Sequence, residues 1–141
     1  IIADLAEDLA GLGRLGVTTL LTVEETETVP AESLAAAGIA GLHFPIVDME
    51  APDERAAAHW CEVLEARLGA GEAIAVHCRA GQGRTGTVLA CQLIWSGATA
   101  IEALDRVRGI NPRWVTSDAQ VRFLARFAAH VRLHRSLPSA P

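Results

Sequence analysis

Between Gly71 and Trp95 an apolar run, a glycine-bearing polar loop and a second apolar run follow one another without a break. Ala73-Ile74-Ala75-Val76 is short, bounded by Gly71 and the loop, and reads as a buried strand. Thr87-Val88-Leu89-Ala90-Cys91-Gln92-Leu93-Ile94-Trp95 reads as a buried helix. The stretch between them is His77-Cys78-Arg79-Ala80-Gly81-Gln82-Gly83-Arg84-Thr85-Gly86. A strand, a glycine-bearing loop and a helix start in that order aim several backbone N–H groups at one point, where the helix dipole also favours an anion. Cys78 opens this loop and Arg84 closes it. A guanidinium can grip two oxygens of one phosphoryl group while loop amides take the rest. The same field favours the thiolate of a cysteine placed inside it.

The order of the remaining segments predicts an α/β fold. Leu5, Leu9, Leu12 and Leu15 give Asp4 to Leu15 a helical spacing, ended by Gly16. Val17 to Val23 reads as a strand, Pro30 to Ala37 as a short helix, and Ile39 to Val47 as a second strand. Pro52 and Asp53 open a helix that runs to about Leu68, with Gly69 and Gly71 ending it. Thr99-x-x-Glu102 and Ser117-x-x-Gln120 have the form of capping boxes for two C-terminal helices. Alternating strands and helices imply a central, mostly parallel sheet flanked by helices on both faces. Ligands bind such sheets beyond the carboxyl ends of the strands, which is where Cys78 falls. The expected organisation is one catalytic domain over 1–135, with 136–141 as a loose tail.

Charge and cysteine content narrow the partners. The net charge of −5, with twelve arginines and no lysine, argues against nucleic acid or an anionic membrane surface as main partner. Three cysteines do not make a disulfide framework, so a reducing compartment fits. No run reaches the ~18–20 apolar residues that span a bilayer, and Ile1-Ile2-Ala3-Asp4 lacks the basic start of a signal peptide. A cytoplasmic, monomeric protein is the expectation.

Cys78, five residues, then Arg84-Thr85 resembles the signature of the protein tyrosine phosphatase superfamily, in particular its small atypical dual-specificity branch. That resemblance implies a cysteine-phosphatase fold and metal-independent hydrolysis of a phosphomonoester through a phosphocysteine, with no cofactor. It implies Cys78 as nucleophile, with Arg84 and the loop residues Arg79, Ala80, Gly81, Gln82 and Gly83 as the phosphate cradle. His77 would hold the loop and tune the cysteine, and the Thr85 hydroxyl would stabilise the returning thiolate. The family's general acid lies on a loop about thirty residues before the cysteine, after a Pro-x-x pattern. Pro45-Ile46-Val47-Asp48 matches, so Asp48 is the expected acid, with Glu50 and Asp53 as alternatives. Asp53 also suits a helix start, and Asp48 a loop residue capping its own backbone. Gln120 corresponds to a residue that helps place the hydrolytic water, although the capping box explains it equally well.

The short chain fits a shallow cleft open to phosphorylated Tyr, Ser and Thr of a phosphoprotein substrate. Phosphoinositides, inositol phosphates and other small phosphate esters are the alternative, although Arg79 and Gln82 carry half the basic content usual in that branch. Two further readings are a catalytically silent phosphate-binding module and a sulfurtransferase. The loop is not a nucleotide-binding P-loop, because the lysine is missing. Arg113 reads either as a second anion contact or as a solvated residue. Arg106, Arg108, Arg122, Arg126 and Arg132 read as solvated helix faces, and His43 as a packed strand residue. His59, His130 and His134 are expected on different helices, without metal-ligand spacing. Cys91 is expected in the core, and Cys61 is a conceivable resolving thiol for Cys78.

Overall fold

Strands too short to stand alone are held here by helices on both sides. The computed structural model describes residues 4–78 and 83–135. In chain order these form α1 (Leu5–Arg14), β1 (Thr19–Thr22), α2 (Ala31–Ala36), β2 (Ala40–His43), α3 (Glu54–Gly69), β3 (Ile74–His77), α4 (Gly83–Trp95), α5 (Ala100–Ile110) and α6 (Asp118–Arg135). The sheet order is β2-β1-β3, all parallel. Thr19 lies between Ala40 and Ile74, and Thr22 between His43 and His77, so the three strands end at one level. The loops that leave that edge are the ones expected to carry chemistry.

Period-two alternation sends successive side chains of β1 to opposite faces. On one face Leu20, with Ala75 beside it, packs under Leu9 of α1 and Leu34 of α2. On the other, Leu21 and Val76 meet Leu64 of α3 and Val88 of α4. A second apolar body, centred on Phe123, Phe127, Ile94 and Val107, joins α3, α4, α5 and α6. The expected α/β architecture is therefore the observed one. Both predicted caps are present as well. Thr99 and Glu102 exchange bonds at the start of α5. The Gln120 N–H donates to Ser117 Oγ at 3.1 Å, and the Ser117 N–H donates to Gln120 Oε1 at 3.2 Å.

Several boundaries differ from expectation. The strand pairings stop at Thr22 and His43, apart from single continuing bonds from Val23 N to His77 O and from Phe44 N to Thr22 O. The chain beyond Phe44 leaves the sheet at Pro45, which has no N–H for a ladder. Helix α4 begins at Gly83 rather than Thr87, and the Thr87 hydroxyl donates back to Gly83 O at 2.7 Å. Leu15 is 82% exposed because it follows the last turn of α1. His130 and His134 share α6 and lie one turn apart, with ring centroids 4.2 Å from each other. Arg108 is not simply solvated: its Nε donates to Trp114 O at 3.2 Å and its Nη2 to Val115 O at 2.6 Å.

Candidate active site

Cys78 follows β3 directly, and only 8% of it is exposed. The start of α4 at Gly83 brings Arg84 and Thr85 into its first turn, against that cysteine. Thr85 Oγ1 donates to Cys78 Sγ at 3.1 Å, a contact between two buried side chains. Arg84 is 5% exposed, and its Nη1 donates to the Ile46 carbonyl at 3.1 Å. Its other terminal nitrogen, Nη2, lies 3.8 Å from Asp48 Oδ1. Arg79, Ala80, Gly81 and Gln82, expected in the cradle, lie outside the described residues.

The segment that carries Asp48 is anchored by alternation. Phe44 and Ile46 are buried, and Phe44 stacks on Trp60 of α3 with ring centroids 4.8 Å apart. Those two anchors leave Asp48, 73% exposed at its side chain, on the solvent side of Arg84. Asp48 thus faces Arg84 rather than capping its own backbone. Of the alternative acids, Asp53 Oδ1 accepts from Ala56 N at 2.8 Å and caps α3. Glu50 contributes its backbone carbonyl to Gln120 Nε2 at 3.0 Å.

Arg84 and Asp48 form one side of an open cleft of about 370 Å³. Its other lining residues, Glu24, Glu25, Thr26 and Thr28, come from the segment after β1. Glu25 Oε1 accepts from Asp48 N at 3.4 Å, linking the two walls. No side-chain motif singles out this acidic segment. Its signal was positional: Glu24 and Glu25 follow a parallel strand at its carboxyl end, where ligands bind.

His77, the last residue of β3, lies beneath the site. Its Nε2 shares a 2.7 Å hydrogen bond with Thr22 Oγ1 on the neighbouring strand. Burial lowers its pKa below the ordinary value, with Glu24 pulling in the opposite sense. His43 is half-buried and donates from Nε2 to Glu24 O at 2.7 Å, which helps fix the acidic wall. Arg113 is exposed and does not line the cleft.

The loop between α5 and α6 closes on the site from behind. A Cβ on Gly86 would fall 2.4 Å from Trp114 Cβ and 2.8 Å from Val115 N. One on Gly83 would meet Gln120 Oε1 and Thr116 Oγ1, each at 2.9 Å. Glycine at both positions lets α4 start in contact with that loop. Cys61 and Cys91 belong to a different part of the core from Cys78. Burial pushes the Cys61 thiol up to about 12 and Cys91 up as well, which suits packing rather than thiolate chemistry.

A family model described as "Tc-R-P: Polymorphic toxin system, DSP-PTPase phosphatase" matches residues 1–98. The chain belongs to that family of dual-specificity phosphatases, within the protein tyrosine phosphatase superfamily. It is similar to protein tyrosine phosphatase type IVA 3 of Mus musculus, 29% identical over 133 residues, covering 93% of this chain and 76% of the relative. Phosphatidylglycerophosphate phosphatase PTPMT2 of Arabidopsis thaliana is 31% identical over 126 residues, covering 86% of this chain and 55% of the relative. Among solved structures, Tk-PTP in its active form superposes with a TM-score of 0.81 at 27% identity, over 88% of this chain and 86% of that one. The phosphatase is thus a cysteine-dependent phosphoric monoester hydrolase. No helix among its described residues is long and apolar enough to cross a membrane.

Proposed function

We infer that this phosphatase hydrolyses phosphate monoesters of protein Tyr, Ser and Thr side chains in two displacement steps. The observation that carries the reading is one cleft edge at which Thr85 holds Cys78 Sγ while the adjacent Arg84 reaches Asp48. Arg84 and Asp48, thirty-six residues apart in sequence, meet there beside Cys78, in the combination that phosphoryl transfer needs: nucleophile, anion holder and acid.

In the first step the Cys78 thiolate attacks phosphorus in line, the P–O bond to the substrate breaks, and Asp48 protonates the departing oxygen. Arg84 carries the equatorial oxygens together with the amides of the loop from Arg79 to Gly83. A phosphoryl group seated on Arg84 competes with Asp48 for the same guanidinium. In the second step the Asp48 carboxylate takes a proton from water as the water attacks phosphorus. The P–S bond breaks, inorganic phosphate leaves, and the thiolate returns to its bond with Thr85. His77, held by Thr22, supports the end of β3 rather than acting as base.

Hydrolysis of para-nitrophenyl phosphate with excess chelator tests this reading. Turnover is expected in the wild type and abolished in Cys78→Ser. Asp48→Ala is expected to retain measurable activity on that good leaving group, since general acid catalysis contributes about 10²–10⁴-fold. Freshly reduced wild type that binds phosphate without turnover would mark a binding module instead. A second reading, a lipid or other small phosphate ester as substrate, is supported by the similarity to the Arabidopsis phosphatidylglycerophosphate phosphatase. Comparing kcat/KM on phosphopeptides and on phosphatidylglycerophosphate in mixed micelles separates the two.

A further inference from the structure

The acid-bearing segment has no strand partner after Phe44, yet its carboxylate must stand at a fixed distance from Arg84. What holds it comes from the start of α6. Ser117 Oγ donates to Met49 O at 2.7 Å, and Gln120 Nε2 donates to Glu50 O at 3.0 Å. These are the two residues that follow Asp48. Met49 has a φ of +65°, a left-handed conformation that side-chain-bearing residues rarely adopt and that surrounding contacts must impose. Val115, two residues before Ser117, has a φ of +61°. Among the described residues, these are the non-glycine residues with positive φ, and they lie in the two segments that the ties join.

Gln120 has little capacity left for water. It is fully buried, and its Oε1 accepts from Thr116 N at 2.9 Å and from Ser117 N at 3.2 Å. A carbonyl oxygen has two lone pairs, so both are taken. Its amide also packs on Gly83, where an added Cβ would come within 3.2 Å of Nε2. One side chain therefore touches the acid segment, the loop before α6 and the first residue of α4.

We propose that Gln120, with Ser117, is a positioning residue that clamps the Asp48 segment at its working distance from Arg84, rather than a group that places the hydrolytic water. The proposal rests on the reading of Asp48 as general acid. A clamp acts through the acid, so its loss is felt in proportion to how much the leaving group needs a proton. A water-placing residue acts on the second step, which is the same for every substrate because the phosphocysteine has no memory of its leaving group.

The test is kcat/KM and pre-steady-state turnover of Gln120→Leu and Ser117→Ala on para-nitrophenyl phosphate and on phenyl phosphate, beside Asp48→Ala. Both clamp variants are expected to lose less than about threefold on the nitrophenyl ester and about tenfold or more on the phenyl ester, within the range of general acid catalysis. Because Asp48 also serves as base in the second step, any burst of nitrophenol in the clamp variants is expected not to exceed that of Asp48→Ala, and neither variant should worsen Asp48→Ala further. A burst larger than that of Asp48→Ala, followed by slower turnover, would assign Gln120 to the water and overturn the clamp. A uniform loss on both esters would reduce its role to folding and overturn it too. Should Gln120→Leu fail to fold, Ser117→Ala decides, because it cuts the Met49 tie and the cap at Gln120 N–H but removes none of the bonds made by the Gln120 side chain. If Asp48→Ala is itself indifferent to the leaving group, the acid assignment fails. If only the clamp variants are indifferent, the acid stands and the clamp fails.

Discussion

Gly86 marks the tightest approach in the site, with Trp114 where a side chain would begin. Gly86→Ala must push the loop before α6 away from α4, and overpacking of this kind costs about 1–3 kcal/mol. Gly109, inside α5, has nothing within 4 Å of a would-be Cβ. Gly109→Ala is therefore expected to stabilise by about 0.5–1 kcal/mol through helix propensity alone. Denaturant unfolding of the two variants checks the contrast, and equal signs would mean that the contact at Gly86 relaxes at no cost. The thiols sort by the same local logic. Cys78 has the hydroxyl of Thr85 on its sulfur, whereas at Cys61 and Cys91 burial dominates and outweighs the pull of Arg135 on Cys61. That leaves Cys61 poorly suited to be a resolving thiol.

At the scale of elements, α5 and α6 do more than close the core. Arg108 near the end of α5 ties two successive carbonyls, those of Trp114 and Val115, and so holds a β-branched residue in a left-handed conformation. Such strain costs on the order of 1–3 kcal/mol and persists only where neighbours impose it. Arg108→Leu keeps most of the apolar stem but removes the donors. Allowing for its half-exposure, the expected loss is about 1–3 kcal/mol in equilibrium unfolding, from the two charge-assisted bonds removed. An unchanged midpoint would mean that burial of Val115 fixes the loop unaided. The strands show the opposite economy. Four residues each suffice because β1, buried along its whole length, lies between its two neighbours.

For the molecule as a whole, pH enters through His77. Burial holds its pKa below the ordinary 6.5, so the unfolded chain binds this proton at a pH where the folded one does not. The stability is therefore fully present above about pH 6.5 and declines as pH falls toward the folded value, by at most about 1.4 kcal/mol per pH unit for one proton. Glu54, lowered by its own backbone bond and then by Arg126, acts in the same sense but only below its ordinary 4.5. Unfolding midpoints should fall between pH 7.5 and 5.5, and His77→Asn should flatten that fall. An equal slope in the variant would place the titrating group elsewhere.

The family signature, the acid motif Pro45-x-x-Asp48, the order of helices and strands and both capping boxes could be read from the chain, because each depends on residues close together in sequence. Periodicity and helix starts are short-range facts, and a nucleophile followed by its anion holder in one loop is a local motif. The start of α4 at Gly83 is not legible locally, since two glycines within four residues look like a loop until the packing of Trp114 and Gln120 explains them. Arg108 looked like a solvated helix residue because its acceptors are backbone carbonyls, which no side-chain pattern announces. The acidic wall after β1 and the ties from Ser117 and Gln120 to Met49 and Glu50 span separations of up to 70 residues. Only the folded chain decides such contacts: strand register and helix packing set which distant backbone groups come within hydrogen-bond reach, and beyond the position of Glu24 and Glu25 after a strand the sequence carries no local trace of them.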